Sequence, residues 1–206
     1  MKLTESIKNI KLDRMVIFTF FSGLVTTVFL ANIHGFLAVV KPVRADVLII
    51  ESWISPDAVY STDSLLLSDY TQCIIVGDAS DRRSKEEMRK TVQKMIDEQN
   101  ADSVQVIQLS IKSNGHPKTK SYALKVQQWL LERKMVPVGC NVLSEGAHAR
   151  KSHIVFKRYL KSIAPVGVYA APPSKYNSKR WIFSFNGWAW VILDSIKTTR
   201  AYIFGY

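Results

Sequence analysis

The longest apolar stretch of the chain runs from Met15 to Val40 and contains no Lys, Arg, Asp or Glu. Its 26 residues exceed the roughly 20 that a helix needs to cross the hydrocarbon core of a bilayer. A buried core helix would carry a polar stripe, and a cleaved signal peptide would have a shorter apolar run followed by small residues. The pattern therefore favours an uncleaved transmembrane helix over residues 15–40.

Basic residues flank this predicted anchor unequally. Four precede it and two follow it closely, namely Lys2, Lys8, Lys11, Arg14, Lys41 and Arg44. Because positive charge is retained on the cytoplasmic side, this bias predicts a cytoplasmic segment at residues 1–14. Residues 44–206 are then expected on the outer, periplasmic side of the inner (plasma) membrane, in a single-pass protein.

After the predicted anchor, short β-branched runs alternate with amphipathic segments. Five runs predict strands buried on both faces, as in a parallel sheet, at residues 46–51, 73–78, 104–109, 140–144 and 166–171. Helices are predicted between them at about residues 56–68, 84–96, 120–133 and 147–162, and an aromatic helix is predicted at the C-terminus. Ser84 and Glu87 form a capping-box pattern at the start of the second of these helices. The alternation predicts an α/β fold with a Rossmann-like, doubly wound, mainly parallel five-stranded sheet, preceded by one N-terminal transmembrane helix.

Polar residues end several of the predicted strands, where ligands of an open parallel sheet bind. They are Glu51 and Ser52, then Gly77 and Asp78, then Ser144, Glu145 and Gly146, with His148 close behind. Carboxylates, hydroxyls and an imidazole at one edge would support general acid/base catalysis or bind a divalent ion. The alternatives are solvated loop acids for Glu51 and Glu145, a turn cap for Asp78, and a surface or capping role for His148.

Several motifs that would name a chemistry are absent from the sequence. Neither G-x-G-x-x-G nor G-x-x-x-x-G-K-[ST] occurs, which argues against dinucleotide oxidoreductases and P-loop enzymes. The nucleophile elbow G-x-S-x-G and the pairs H-x-x-x-H and C-x-x-C are also missing, so neither a lipase-like serine hydrolase nor a dedicated zinc site is favoured. Cys73 and Cys140 begin different predicted strands and are expected to be buried free thiols. No cofactor and no metal follows from the sequence.

Charge is distributed unevenly along the 206 residues, whose formal net charge is +11. Residues 1–110 carry a net charge of −2, whereas residues 111–206, with 16 basic and 3 acidic side chains, carry +13. Nucleic acid, anionic lipid head groups and phosphorylated substrates would all fit such a surface. Nucleic acid is a poor fit outside the inner membrane, so the predicted partners are membrane lipids and a phosphorylated small-molecule or lipid-linked ligand.

The segment from Trp181 to Trp190 places five aromatic residues beside Lys179 and Arg180. Core packing of a terminal helix and contact with a lipid interface both explain this composition. Stacking on single-stranded nucleic acid would use similar residues and is the least favoured of the three.

The order of these segments resembles the YdcF/SanA/ElyC-like family, in its branch with one N-terminal membrane span. The matching positions are residues 47–58, residues 144–152 with Phe156, Thr119 with Ala123 and Trp129, and Tyr176, Arg180, Trp181, Ser184 and Gly187. The resemblance implies a Rossmann-like domain at the inner membrane with a role in envelope or cell-surface polysaccharide biology. It implies a pocket of Glu51, Gly77, Asp78, Thr119, Ser144, His148 and Arg150 or Lys151. Two departures are Asp78, where the family often has a second glycine, and Lys118, where an arginine is usual.

These observations lead to one hypothesis and one alternative. The protein is expected to handle a phosphorylated or lipid-linked envelope precursor by hydrolysis or transfer. His148, Glu51 and Glu145 are the candidate catalytic residues, and the candidate ligand-binding residues are Gly77, Asp78, Lys118, Thr119, Ser144, Gly146, Arg150 and Lys151. The alternative is a non-catalytic accessory or sensing protein that binds polysaccharide machinery or the membrane surface.

Overall fold

The computed structural model describes residues 2–62, 65–112 and 117–206, with side chains described from Met15 onward except at Ala31. The chain divides into two compact units, the first ending at His34 and the second running from Gly35 to Tyr206. Helix α1 (Lys2–Leu37) provides the first unit with its residues 2–34 and contains most of the predicted anchor. Among the residues described with their side chains, no helix is both long and apolar enough to cross a membrane.

The second unit is built on a five-stranded, all-parallel sheet, which confirms the α/β prediction. Its strands are β1 (Val47–Glu51), β2 (Gln72–Asp78), β3 (Gln105–Ile111), β4 (Cys140–Glu145) and β5 (Val166–Ala171). The strand order is β3-β2-β1-β4-β5, so the chain builds outward from β1 in one direction and then returns to add β4 and β5 on the other side. Adjacent strands whose connections leave in opposite directions create a crevice at their carboxyl ends. In this sheet the crevice lies between β1 and β4.

Five further helices accompany the strands. They are α2 (Pro56–Tyr60), α3 (Arg82–Glu98), α4 (Lys118–Glu132), α5 (Ala149–Leu160) and α6 (Phe185–Phe204). Helix α2 ends earlier than predicted, because the hydroxyls of Ser61 and Thr62 donate to the carbonyls of Asp57 and Ala58 in its last turn. Helix α3 begins two residues before Ser84, so the predicted capping box is wrong. The N-cap of α3 is Asp81, whose carboxylate accepts a hydrogen bond from the Ser84 backbone N–H.

Alternate residues of each strand face opposite sides of the sheet and form two hydrophobic cores. Ile49 of β1 packs into a core with α4 and α5, where Phe156 is fully buried. Its neighbour Ile50 packs into the other core with α2 and α3, around Met88. Both faces of the sheet are therefore covered along β1, β2, β4 and β5, which explains why these strands are almost continuously apolar. The prediction of burial on both faces is wrong for β3, an edge strand whose Gln105, Gln108 and Ser110 are exposed.

The chain between α1 and β1 is attached to the α/β unit from Lys41 onward. Lys41 and Val168 of β5 exchange backbone hydrogen bonds of 2.9 and 3.1 Å as an antiparallel bridge. The amide of Asn141 donates to the Val43 carbonyl at 2.8 Å and accepts from its N–H at 2.9 Å. The segment after α1 is thus part of the folded unit.

Cys73 and Cys140 are both buried free thiols, as predicted. Burial raises the pKa of each thiol to about 12. Neither is therefore reactive at neutral pH.

Candidate functional site

A buried chain of polar side chains lies where β1 and β4 end. Glu51 is fully buried, and its Oε2 accepts a hydrogen bond of 2.7 Å from the Ser152 hydroxyl of α5. The Ser152 oxygen lies 3.1 Å from the Ser144 hydroxyl of β4. The second carboxylate oxygen of Glu51, Oε1, has no hydrogen-bond partner in the described part of the chain. Glu51 and Ser144 therefore belong to the interior, and the alternative of a solvated loop acid does not apply to Glu51.

Glu145, the last residue of β4, holds two loops together. Its Oε1 accepts hydrogen bonds from the backbone N–H and the hydroxyl of Ser174, at 2.6 and 2.7 Å. Its Oε2 accepts from the Ser55 backbone N–H at 3.2 Å. Both oxygens are thus occupied by groups of the protein itself.

Gly77 and Asp78, at the end of β2, also have local partners. A Cβ on Gly77 would collide with the Ser52 hydroxyl, so the absence of a side chain lets the loop after β1 approach β2. Asp78 Oδ1 accepts from the backbone N–H and hydroxyl of Ser80, and Lys118 Nζ lies 3.8 Å from Oδ2. The hydrogen bonds from Ser80, aided by the charge of Lys118, lower the pKa of Asp78. Asp78 is thus a turn cap, the alternative considered for it.

His148 is held by a carboxylate of the C-terminal helix, α6. Gly146, with a φ of 50°, opens the short 3-10 turn Gly146–His148 that places His148 at the N-terminus of α5. His148 Nδ1 lies 2.9 Å from Oδ1 of Asp194 on α6, and Lys197 Nζ lies 3.2 Å from the same oxygen. The Trp53 ring meets the imidazole edge-on, with ring centroids 5.0 Å apart. His148 is thus nearly enclosed and fixed in orientation.

The state of Asp194 determines which nitrogen of His148 is free. Burial by itself would raise the pKa of Asp194, but the hydrogen bond and charge of His148 and the charge of Lys197 lower it overall. An ionised carboxylate only accepts hydrogen bonds, so His148 Nδ1 carries the proton in this pair. When the imidazole is neutral, its other ring nitrogen, Nε2, bears the lone pair that a general base requires.

A cavity of about 390 Å³ opens beside His148, and we call it the basic cavity. Its walls carry the cationic side chains of four residues, which are Lys118, Lys151, Lys197 and Arg200. Its aromatic walls are Trp53, Tyr122, Trp190 and Tyr206. No Asp or Glu lines it among the described residues. The first turn of α4 contributes Thr119 next to Lys118, so the positive end of that helix also faces the cavity.

Lys151 is the most buried of these cations. Its side chain makes no hydrogen bond or ion pair with any described residue, and it is 9% exposed. Burial lowers the pKa of Lys151, the positive charges of Lys197 and Arg200 act in the same direction, and the negative charge of Glu51 opposes them. A buried cation without a partner is costly, and an anion in the cavity would supply that partner.

A second cavity of about 240 Å³ adjoins the first, and we call it the carboxylate cavity. It shares Trp53, His148 and Trp190 with the basic cavity, and it is also lined by Glu145 and Asp194. His148 therefore stands between a positively charged compartment and a compartment that contains both carboxylates.

The structure divides the sequence-predicted site residues into two groups. His148, Lys118, Thr119 and Lys151 line the basic cavity, and Glu145 lines the carboxylate cavity. Glu51, Gly77, Asp78, Ser144, Gly146 and Arg150 line neither of them. Arg150 instead donates from Nε to the Phe36 carbonyl, and its guanidinium lies 3.8 Å from the centre of the Phe36 ring. It thus holds the last turn of α1, which belongs to the second unit, against α5.

Sequence reasoning missed the contribution of α6 to the site. Asp194, Lys197 and Arg200 all come from this helix. Two signals pointed to them. The positive charge is concentrated in the C-terminal half, and Asp194 is the single acidic residue between residues 146 and 206.

No family model, curated protein or solved structure matches the chain. The geometry of the two cavities is therefore the basis for proposing a function.

Proposed function

We propose that the α/β unit binds a phosphorylated ligand in the basic cavity and transfers or hydrolyses its phosphoryl-linked group with His148 as acid/base catalyst. The observation that carries this proposal is the lining of the cavity, where four cations and no described carboxylate adjoin a histidine held by Asp194. Lys118, Lys197 and Arg200 neutralise phosphate charge, and Lys151 gains the anionic partner that the described residues do not provide.

In this mechanism neutral His148 accepts a proton at Nε2 from a water or hydroxyl nucleophile as its oxygen attacks phosphorus. The bond from phosphorus to the leaving oxygen breaks, and His148 returns the proton to that oxygen, so no proton is gained or lost overall. The ionised Asp194 stabilises the imidazolium formed between these two transfers. The cations stabilise the charge on the phosphoryl oxygens in the transition state. Tyr122 remains a neutral hydroxyl donor, because burial and the charges of Glu51 and Asp78 raise its pKa.

The remaining parts of the proposal concern the ligand and the location of the protein. The aromatic walls at Trp53, Trp190 and Tyr206 suit the apolar face of a sugar or an isoprenoid-like chain. Together with the family resemblance, they support a phosphorylated or lipid-linked envelope precursor as ligand.

Residues 15–40 are the proposed anchor, with residues 1–14 in the cytoplasm and the α/β unit on the periplasmic side.

A second function, non-catalytic binding or sensing, is favoured by the positions of the acidic residues. Glu51, Asp78 and Glu145 do not converge on one point, and each is bound by side chains or backbone groups of the protein. A protein that only binds a phosphorylated ligand would need the basic cavity without them.

Binding and turnover measured on the full chain in detergent test both functions. The probes are a water-soluble sugar phosphate, titrated by calorimetry, and a lipid-linked sugar diphosphate, followed by phosphate release or transfer. We expect His148→Ala to retain binding and lose turnover, and Lys151→Ala to lose binding. Lys90→Ala, an exposed lysine on α3, is the matched control and should change neither.

Each outcome decides between the functions. Binding without turnover in the unmodified chain supports the accessory function and overturns catalysis. If the chain binds neither the sugar phosphate nor the lipid-linked sugar diphosphate, both proposed functions are overturned.

A further inference from the structure

Helix α6 has two faces of opposite character. Its inner face, with Val191, Asp194 and Ala201, is buried against the domain. Its outer face carries apolar side chains that are about half exposed or more, and together with Phe183, two residues before the helix, they form what we call the α6 stripe. The members of the α6 stripe are Phe183, Phe185, Ile192, Leu193, Ile196 and Ile203.

Four members of the α6 stripe lie on one line along the helix. Phe185, Ile192, Ile196 and Ile203 follow one another at intervals of seven, four and seven residues, which returns each side chain to the same face. Phe185 is 87% exposed, and Ile196 is 54% exposed. At about 1.5 Å per residue the line is about 27 Å long. A continuous apolar surface of this length is typical of an interaction site, unlike scattered exposed apolar residues.

The charge around the α6 stripe indicates which partner covers it. Residues 146–206 contain ten Lys and Arg and a single acid, Asp194, which is buried. Lys179 and Arg180 are exposed just before the stripe begins, and Arg200 follows Ile196 by one helical turn. An apolar stripe bordered by basic residues is the pattern of helices that lie in the surface of an anionic bilayer. A second copy would instead bring two strongly positive surfaces together.

We propose that the α6 stripe docks into the head-group region of a bilayer that contains anionic phospholipid. The apolar side chains enter the boundary between head groups and acyl chains, and Lys179 and Arg180 contact lipid phosphates. Trp190 lines both cavities, so of the five aromatic residues between Trp181 and Trp190 the docking surface uses only Phe183 and Phe185. This contact does not depend on the function proposed for the basic cavity.

Site-directed spin labelling of the full chain tests the proposal. The chain with Ile196→Cys is labelled with a nitroxide and reconstituted in vesicles of phosphatidylcholine with phosphatidylglycerol. Cys73 and Cys140 need no replacement, because both are buried and unreactive. Lys90→Cys on α3, a solvent-exposed position, is the matched control. Accessibility is measured to oxygen, which concentrates in lipid, and to a water-soluble nickel complex.

We expect the nickel accessibility of the probe at residue 196 to be about tenfold lower than that at residue 90, as for a side chain buried about 5–10 Å below the head groups. Its oxygen accessibility should be higher than that of the control. Both differences should shrink in vesicles of phosphatidylcholine alone. The double variant Ile192→Glu/Ile196→Glu changes only exposed positions, and with a probe at Ile203→Cys it should restore nickel access.

Three outcomes would overturn the proposal. One is equal nickel access at residues 196 and 90. Another is shielding from both reagents, with spin–spin broadening between labels, which would mean that a second copy covers the stripe. The last is low nickel access with high oxygen access at residue 196 that is just as large in vesicles without phosphatidylglycerol, which would remove the role of anionic lipid.

Discussion

The carboxylates at the strand ends and the cations around the basic cavity lie at the same edge of the sheet, yet their partners differ. Glu145 accepts three hydrogen bonds from the protein, and Glu51 is bound by Ser152 in the interior. Lys151 has no partner among the described residues, and Lys118 has only a distant one in Asp78. Groups that the protein satisfies stabilise the fold, whereas a group left unsatisfied at a cavity is available to a ligand. The strand-end acids therefore belong to the architecture, and the cations to the candidate site.

The largest expected effect comes from the one acid that belongs to the site. Replacing Asp194 with Asn removes the charge that orients and stabilises His148. We expect kcat to fall by about 10²–10⁴-fold, the range of general acid–base contributions, with little change in KM. Asp97→Asn, an exposed acid on α3, is the control and should be neutral. If KM rose instead and kcat were retained, Asp194 would serve binding and not proton transfer.

Glu145→Ala tests whether an acid at a strand end is architectural. The substitution leaves the backbone N–H groups of Ser55 and Ser174 without an acceptor, and the free energy of unfolding should fall by about 3 kcal/mol. The midpoint of denaturant unfolding, followed by circular dichroism, measures this change. Glu132→Ala, an exposed acid at the end of α4, should alter stability by no more than about 0.5 kcal/mol. Unchanged stability with lost activity would return Glu145 to the catalytic role that the sequence suggested.

Lys151→Met should move binding and stability in opposite directions. Binding of the sugar phosphate should weaken roughly ten- to a hundredfold, since a hydrogen bond to a charged group contributes about 1.5–3 kcal/mol. Stability without ligand should rise, because the variant no longer buries an unpaired cation. Calorimetric titration and thermal unfolding of the same preparation measure both. A fall in stability would show that Lys151 is a structural residue like the acids.

The pH dependence gives an independent check on Lys151. Burial lowers the pKa of Lys151 in the folded domain, so between that lowered value and the ordinary value the unfolded chain binds more protons than the folded one. The free energy of unfolding therefore gains a contribution that grows with pH across this interval. We expect this contribution in the unmodified chain and not in Lys151→Met.

The smallest effect is expected at Arg150, which the sequence placed in the pocket. Loss of its contacts with the Phe36 carbonyl and ring in Arg150→Ala should lower stability by about 1 kcal/mol and leave ligand affinity unchanged. Arg83→Ala, which breaks an exposed pair with Glu87, is the control for loss of a surface arginine. Weaker sugar phosphate binding in Arg150→Ala would place Arg150 among the cations of the site.

The parts of the fold that depend on residues close together in the sequence could be predicted. The apolar runs identified all five strands, and four of them, β1, β2, β4 and β5, are the strands covered on both faces that such runs predict. The edge strand β3 was found as well, but its burial on both faces was predicted wrongly. The start of α3 and the end of α2 were predicted less well. At both places a side chain such as Asp81 or Ser61 makes a local hydrogen bond that competes with helix geometry.

The arrangement of the site depends on partners that are far apart along the chain. Glu51 is bound by a residue 101 positions away, Glu145 by Ser55 90 positions away, and His148 by Asp194 46 positions away. Residue type and spacing indicate that an acid lies at a strand end, but not whether a distant loop will occupy its oxygens. His148 and Lys151 could be chosen from the sequence, whereas the roles of Asp194 and Arg200 required the position of α6.

The wall shared by the two cavities has a kinetic consequence. Trp53, His148 and Trp190 line both compartments, so a molecule that fills either one also occupies part of the surface of the other. Two ligands can then be present together only if each leaves room at these three side chains. In the proposed reaction, a bulky product retained in the carboxylate cavity would compete with the next molecule entering the basic cavity, and turnover would be governed by the order in which the compartments empty.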